Sequence, residues 1–187
     1  MTPQRIAVVG PVACGKSTLA AAIAAHTGLP HVDLDQLFWG PGWTPVHTDT
    51  FASCVASVAR SPRWIIDGNY GGQISETVLG HAQLAVWLDL PLRVCLPRLL
   101  RRSINRARSG QELFAGNQET WSHLIARDSI LRWGPAHHHR HRRRWQQTLA
   151  HSAGGLRVVH IARSADLAPC LRGLGLLPVE EGACRSR

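Results

Sequence analysis

Residues 5–28 read RIAVVGPVACGKSTLAAAIAAHTG. The opening apolar residues have the length of a short buried strand, and the glycines at 10 and 15 permit a tight loop. The alanine-rich stretch after Lys16 reads as a helix that Gly28 closes. Strand, glycine loop and helix thus follow one another directly. Gly10, Gly15, Lys16 and Ser17 satisfy the spacing G-x-x-x-x-G-K-S/T, with Thr18 beside them. A loop of this kind wraps a phosphate chain with backbone N–H groups, which only an unhindered turn allows. Lys16 is placed to reach the β and γ phosphates, Ser17 to ligate Mg²⁺, and the helix to aim its positive N-terminus at the anion. Nucleotide contacts are expected from Gly10 through Thr18, including Pro11, Val12, Ala13 and Cys14.

Outward from this segment, strands alternate with helices. LPHVDLD (29–35), RWIIDGNYGG (63–72), QLAVWLDLP (83–91) and GLRVVHIAR (155–163) read as strands, the first of them ending in two carboxylates. TFASCVASVARS (50–61), the basic stretch LRVCLPRLLRRSINRAR (92–108), QETWSHLIARDSILRW (118–133) and SADLAPCLRGLG (164–175) read as helical, with a kink or restart open at Pro97. FWGPGWTP (38–45) is turn-rich and SGQELFAGN (109–117) loop-like. The alternation predicts an α/β fold with a mostly parallel sheet and helices on both faces. Ligands of such sheets bind at the carboxyl ends of the strands, where Gly10, Asp33, Asp35, Asp67 and Asp89 all fall. One domain is expected over 1–178, with a lid or insertion at 98–145 and a flexible tail at 179–187.

Composition narrows the setting. The 187 residues contain no run long and apolar enough to span a membrane, and no signal-peptide pattern at the start, so a cytoplasmic protein is expected. Cys14, Cys54, Cys95, Cys170 and Cys184 are far apart and odd in number, which argues for reduced thiols and against a disulfide framework or zinc site. Lys16 is the only lysine among 21 basic residues. The general abundance of arginine reflects a bias in composition, but the retained lysine points to a site where a compact ammonium is needed. From Pro91 to Trp145 twelve arginines face three acids (Glu112, Glu119 and Asp128), so the net charge of +9 is concentrated there and suggests an anionic partner.

The acids and arginines suggest parts of a phosphoryl-transfer site. Strand alternation would turn Asp33 and Asp35 to one face and one cleft. A metal anchor and an acceptor-orienting group are what transfer to a hydroxyl requires. Asp33 is assigned to water-mediated Mg²⁺ and Asp35 to the acceptor; capping of the next helix by one of them is the alternative. Asp67, Asn69 and Tyr70 could bind the acceptor, and Trp39 could wall its pocket, as could Trp43, Trp64 and Trp87, unless these tryptophans belong to the core. Asp89, before Pro91, reads as a structural residue or one that supports the site from behind, since strand-end aspartates commonly cap the next helix. At helical spacing Arg98, Arg102 and Arg106 share a face that could stabilise transferred charge, or simply be solvated. HHHRHRRR (137–144), flanked by Trp133 and Trp145, leaves three readings open: nucleic-acid phosphate binding, adventitious metal binding, or an exposed basic helix.

A GTPase base-reading NKxD is absent, and Leu90 stands where an ABC-type ATPase needs a catalytic glutamate. GPVACGKST, HVDLDQLFW, PGW, WIIDGNY and VWLDLPLRVCLPRLLRRS, in that order across residues 5–165, resemble the adenylate-kinase-related P-loop proteins called DNA topology modulation (FlaR-like) proteins. The resemblance implies a P-loop NTPase similar in fold to nucleoside monophosphate, shikimate and gluconate kinases, with a five-stranded parallel sheet and a mobile lid. Asp33 and Asp35 are similarly placed to the DxD of shikimate kinases, and similarity to small kinases favours Arg102 and Arg106 as the lid arginines. Nucleotide kinases carry an arginine-bearing turn after the strand that resembles WIIDGNY. Asn69, Tyr70 and Gly71 stand there instead, which argues against a plain adenylate kinase.

The leading expectation is an ATP- and Mg²⁺-dependent kinase acting on a small-molecule or nucleotide phosphate acceptor, with Lys16, Asp35, Arg102 and Arg106 as its catalytic groups. The competing expectation is an ATP-binding, nucleic-acid-associated regulator using the 137–144 run. It predicts binding with a steep salt dependence, lost on neutralising Arg142 to Arg144.

Overall fold

The computed structural model describes residues 2–151 and 155–178; the tail expected at 179–187 lies outside the described residues. Five strands form one sheet in the order β2-β3-β1-β4-β5: β1 (Arg5–Val9), β2 (His31–Asp33), β3 (Trp64–Asp67), β4 (Leu84–Leu88) and β5 (Arg157–Ile161). Every pairing is parallel. β1, β3 and β4 are buried almost end to end because helices cover both faces, which explains their unbroken apolar character.

The helices are α1 (Lys16–Thr27), α2 (Leu34–Phe38), α3 (Thr48–Ala59), α4 (Gln73–His81), α5 (Leu92–Ser109), α6 (Trp121–Ile125), α7 (Ile130–Ala150) and α8 (Ser164–Gly173). One face of the sheet packs Leu19 and Ile23 of α1, Cys95 of α5 and Leu171 of α8 against Ile6, Val8 and Val86. The other packs Phe51 and Val55 of α3, Val78 and Leu79 of α4, and Trp145 and Leu149 of α7 against Ala7, Ile66 and Trp87. β1 therefore feeds a helix on one face, while its neighbour β3 feeds a helix on the other. The carboxyl ends of β1 and β3 diverge into a crevice, the usual ligand position in such sheets. In register across that edge, Val8 lies opposite Asp67 and Asp67 opposite Asp33.

Several local expectations are corrected. β2 stops at Asp33, whose side chain accepts a hydrogen bond from the Asp35 backbone N–H at 2.9 Å and caps α2. Asp33 and Asp35 therefore do not alternate along one strand; the capping alternative describes Asp33. α4 was not recognised in the sequence. α5 continues through Pro97 as one helix. The segment 118–133 is divided by residues 126–129 into α6 and the start of α7, with the Ser129 hydroxyl accepting from Leu131 N–H at 3.2 Å.

The largest correction concerns the basic run. α7 absorbs it, and its inward stripe is Gly134, His138, His141, Trp145 and Leu149, all buried. Arg142 forms a two-pronged pair with the Asp89 carboxylate, which His160 also approaches at 3.0 Å. Arg144 donates to the Asn69 carbonyl at 2.9 Å. Two of the arginines expected to face nucleic acid are thus spent on the protein itself. Trp145 lies in the core at 2% exposure, and Trp133 stacks on His137 with ring centroids 4.6 Å apart. No helix among the described residues is long and apolar enough to cross a membrane.

Asp89 is structural, as the sequence suggested, though it acts by binding α7 and β5 and not by capping: Pro91 is the residue that precedes α5. Burial works against its charge, but the hydrogen bonds from Arg142 and His160 hold it below the usual carboxylate range. Its stabilising contribution is present above the ordinary carboxylate pKa and is lost as pH falls through the lowered folded value. Asp89→Asn is expected to destabilise the protein by about 2 kcal/mol at pH 7, since the guanidinium and the imidazole lose the carboxylate charge and one of the two oxygens that accept from them. In denaturant titrations the difference from wild type should shrink below about pH 4; a difference independent of pH would contradict the pairing.

Candidate functional site

The loop from Gly10 to Gly15 leaves β1 in backbone conformations that glycine supplies. Gly10 has φ 149°, and a Cβ there would meet the Leu88 carbonyl and the Cys14 sulfur. Gly15, at φ 101°, precedes α1 with no side-chain cap, so the first N–H groups of that helix are left facing the loop. The Lys16 ammonium donates to the Pro11 carbonyl at 3.1 Å across the loop. Ser17 and Thr18 are exposed at its lip. Burial pushes the Cys14 thiol up, which makes it a packing residue and not a thiolate. The loop is thus an array of backbone donors with one ammonium, that of Lys16, folded across it.

Beside it lie three carboxylates. Asp67 is 1% exposed and neither of its oxygens has a hydrogen-bond partner; the closest cationic atom is His31 Nε2 at 3.6 Å. That contact raises the His31 pKa against the opposing effect of burial. Asp33 is raised to about 7 by burial and by the charges of Asp67 and Asp35. Asp35, in the first turn of α2, accepts from the Tyr70 hydroxyl at 2.7 Å. Burial, reinforced by the Asp35 charge, raises Tyr70 and keeps it a donor.

Around Asp35 the walls are aromatic. Phe38 packs on Trp39, Tyr70 and Phe51 at centroid distances of 4.8, 5.1 and 5.2 Å, and Trp39 lies 5.7 Å from Trp43. Trp64 and Trp87 belong to the core. The loop between α5 and α6 meets this wall through Asn117, which accepts from Trp43 N–H at 2.9 Å and donates to the Gly40 carbonyl at 2.8 Å. Arg106 pairs with Glu119 at 2.8 Å, so its charge is already matched. Arg102 has no ion-pair partner among the described residues, and its Nε is enclosed without a hydrogen bond. Burial and Arg106 disfavour its charge, while Glu119 and Asp35 favour it. Arg98 turns back to the loop and α8, donating to the Cys14 carbonyl at 3.4 Å and the Ser164 hydroxyl at 3.2 Å.

Asn69 is engaged in a way the sequence did not suggest. Its side-chain oxygen accepts from Trp145 Nε1 at 2.6 Å and from Arg144 at 3.1 Å, and its amide nitrogen lies 2.6 Å from His141 Nδ1. These bonds fasten the turn after β3 to α7. Nearer its start the same helix packs on the loop: a Cβ at Gly134 would lie 3.8 Å from Val12. The signal available in the sequence was the stripe at positions 134, 138, 141, 145 and 149, with helical spacing but without the apolar residues that usually reveal it.

No family model matches the chain. A curated shikimate kinase from Rhodopirellula baltica is 26% identical over 139 residues, covering 65% of this chain and 74% of that protein. A cytidylate kinase from Methylocella silvestris is 58% identical over 33 residues, 18% of this chain and 15% of the relative. Among solved structures, a shikimate kinase from Acinetobacter baumannii in complex with shikimate aligns with a TM-score of 0.55 at 14% identity, covering 91% of this chain and 92% of the other. A gluconokinase from Sinorhizobium meliloti aligns with a TM-score of 0.50 at 18% identity, covering 94% and 92%. The chain has the α/β fold of the P-loop kinases, with the five-stranded all-parallel sheet expected of it.

Asp33 provides a direct test of the carboxylate geometry. A carboxyl whose folded pKa lies above its unfolded value loses stability as pH rises through the interval between them. Asp33→Asn keeps an oxygen to cap α2 and removes the charge. It is expected to raise the melting temperature at pH 8 and to leave it nearly unchanged at pH 4; the opposite ordering would show that Asp33 is not held against its neighbours.

Proposed function

We propose that the protein is a small-molecule kinase, transferring the γ-phosphate of ATP to a hydroxyl of an acceptor seated between Asp35, Tyr70 and the Trp39 wall. The observation that carries this reading is Asp35. Its carboxylate sits at the carboxyl edge of the sheet beside the phosphate loop, oriented by Tyr70 and within electrostatic reach of the unpaired Arg102. The likeness of the chain to a gluconokinase and to shikimate kinases, one of them in complex with shikimate, supports the choice of a small acceptor.

The residues suit ATP and Mg²⁺. Among the described residues no group of three or more His, Cys, Asp or Glu side chains could hold a metal alone, so a divalent ion here needs phosphate and water ligands as well. Ser17 would ligate it and Asp33 would hold it through water, near an Asp67 carboxylate that lacks any hydrogen-bond partner. When bound, Mg²⁺ neutralises charge on the phosphates.

In this chain the backbone N–H groups from Val12 to Thr18 hold the phosphate chain, and Lys16 leaves Pro11 to reach its outer oxygens. Asp35 orients the acceptor hydroxyl and takes its proton. Tyr70 keeps Asp35 turned toward it. Arg102 places positive charge where the transferred group spreads its negative charge. Arg106 acts by holding Glu119, and with it the loop that closes over the acceptor. Asn69 sets the turn on which Tyr70 stands, so its part in acceptor binding is by position. The narrower likeness to DNA topology modulation proteins rests on the order of sequence motifs, and Arg142 and Arg144, on which a nucleic-acid role would depend, are turned inward to Asp89 and Asn69.

The test is γ-phosphate transfer from labelled ATP·Mg²⁺ to a panel of shikimate, gluconate, other small alcohols, nucleosides and nucleoside monophosphates. A labelled product is expected. Lys16→Ala should slow its formation by roughly 100-fold or more, and Asp35→Asn by roughly 100- to 10,000-fold. Tight ATP binding with release of free phosphate alone, unaffected by Asp35→Asn, would overturn the kinase reading.

A further inference from the structure

His141 is the one imidazole on the inward stripe of α7 that bridges the two sides of the crevice. Seven residues before it, Gly134 lies beside the phosphate loop, where an added Cβ would come within 3.8 Å of Val12; four residues after it, Trp145 enters the core beneath the turn after β3. His141 itself is 8% exposed and lies against Asn69, at the carboxyl end of β3. The ring therefore sits against the turn that follows β3, on the helix that also carries Gly134 beside the loop that follows β1.

Its proton can be located from its neighbours. Trp145 Nε1 can only donate, and it points at Asn69 Oδ1 from 2.6 Å, as does an Arg144 nitrogen from 3.1 Å. The oxygen of the Asn69 amide must therefore face Trp145 and Arg144. Its NH₂ group, which can only donate, then faces His141 Nδ1 at 2.6 Å. Nδ1 must therefore be the acceptor, and the neutral ring must carry its proton on Nε2. Nε2 has no hydrogen-bond partner among the described residues, and it is not sealed from solvent. Burial, followed by the charges of Arg144, Lys16 and Arg140 and by neighbouring His137, lowers the ring to about 4, so it stays neutral in ordinary buffers. Trp133 and His137, at 5.1 and 6.3 Å, pack on the ring from within α7.

We propose that His141 is a further ligand-binding residue of the crevice, a neutral imidazole whose Nε2–H donates to a phosphoryl oxygen of the bound nucleotide, with Asn69 as the positioning residue that fixes its tautomer. The proposal rests on the reading of the crevice as a phosphoryl-transfer site. It adds a donor from α7 to those of the phosphate loop, and it makes the Asn69 turn, Trp145 and Arg144 parts of one device that aims that donor. A neutral donor suits this position, because Lys16 and Arg144 already crowd it with positive charge.

The experiment is ¹⁵N NMR of the histidine side chains of the whole chain, assigned with His141→Gln, before and after saturation with a non-hydrolysable ATP analogue and Mg²⁺ and, separately, with inorganic triphosphate. The expected result is an Nε2–H tautomer for His141 at all pH values from 5.5 to 8 and a shift of its Nε2 resonance on adding either probe. His141→Leu should weaken binding of the analogue by about tenfold, a loss on the scale of one hydrogen bond to a charged group. His141→Gln, which can accept from Asn69 and still donate, should recover most of that affinity. An Nδ1–H tautomer, an Nε2 resonance that ignores both probes, or equal weakening in the Gln and Leu variants would overturn the proposal. If His141→Leu fails to fold, the resonance and the Gln variant still decide it. Phosphate transfer with a silent His141 would overturn this inference alone. A responsive His141 without transfer to any acceptor would overturn the kinase reading alone, and no binding of either probe would overturn both.

Discussion

Two aspartates facing each other in register at the ends of neighbouring strands, one buried and one half-buried, cannot both remain ionised unless positive charge comes close. Asp33 and Asp67 stand in that relation at the ends of β2 and β3, and Asp35 adds a third carboxylate one turn of backbone away. Much of the surrounding structure can be understood as a response to this crowding. His31 approaches Asp67 from beneath, Arg102 comes within reach of Asp35 from α5, and Lys16 waits at the lip of the adjoining loop. None of these closes the balance, as the unpartnered oxygens of Asp67 and the enclosed Nε of Arg102 show. A site left with unmatched charge of both signs, side by side, is suited to a ligand that is itself both strongly anionic and accompanied by a cation.

α7 holds this arrangement together from above. It lies beside the phosphate loop at Gly134, and it is bonded to the ends of β4 and β5 through the Arg142–Asp89–His160 group and to the turn after β3 through Asn69. Close approach at Gly134 is possible because there is no side chain to intervene: a Cβ would come within 3.0 Å of Leu99. The helix therefore links the loops that follow three different strands. Movement of any one of them relative to the others would strain bonds made by charged or buried groups.

The phosphate loop and the sheet were legible in the sequence because their signals are strictly local. Glycine spacing, a lysine, and short apolar runs separated by helical stretches need no long-range information. The position of Asp35 was not legible by the same means. Alternation was extended two residues too far, since the Asx cap formed by Asp33 ends β2 and starts α2 at once. α4 escaped notice because no capping side chain marks its start; Gly72, with φ 60°, makes that entry. The histidine-arginine run carries two conflicting signals. Its charge suggested a solvated face, whereas the 3–4 spacing from Gly134 to Leu149 placed His138, His141 and Trp145 inside. Burial of such a stripe depends on partners as distant in sequence as Asn69 and Asp89, which no local pattern announces.

The central claim is that loop, acids and α7 form one phosphoryl-transfer site in the crevice between β1 and β3. A crystal structure with a non-hydrolysable ATP analogue and Mg²⁺ tests it most directly. The account predicts the triphosphate enclosed by the backbone of residues 10–18 with Lys16 released from Pro11, the terminal phosphate facing Asp35 and Arg102, and α7 still fastened to Asn69. A nucleotide bound elsewhere, or a terminal phosphate directed away from Asp35, would contradict it.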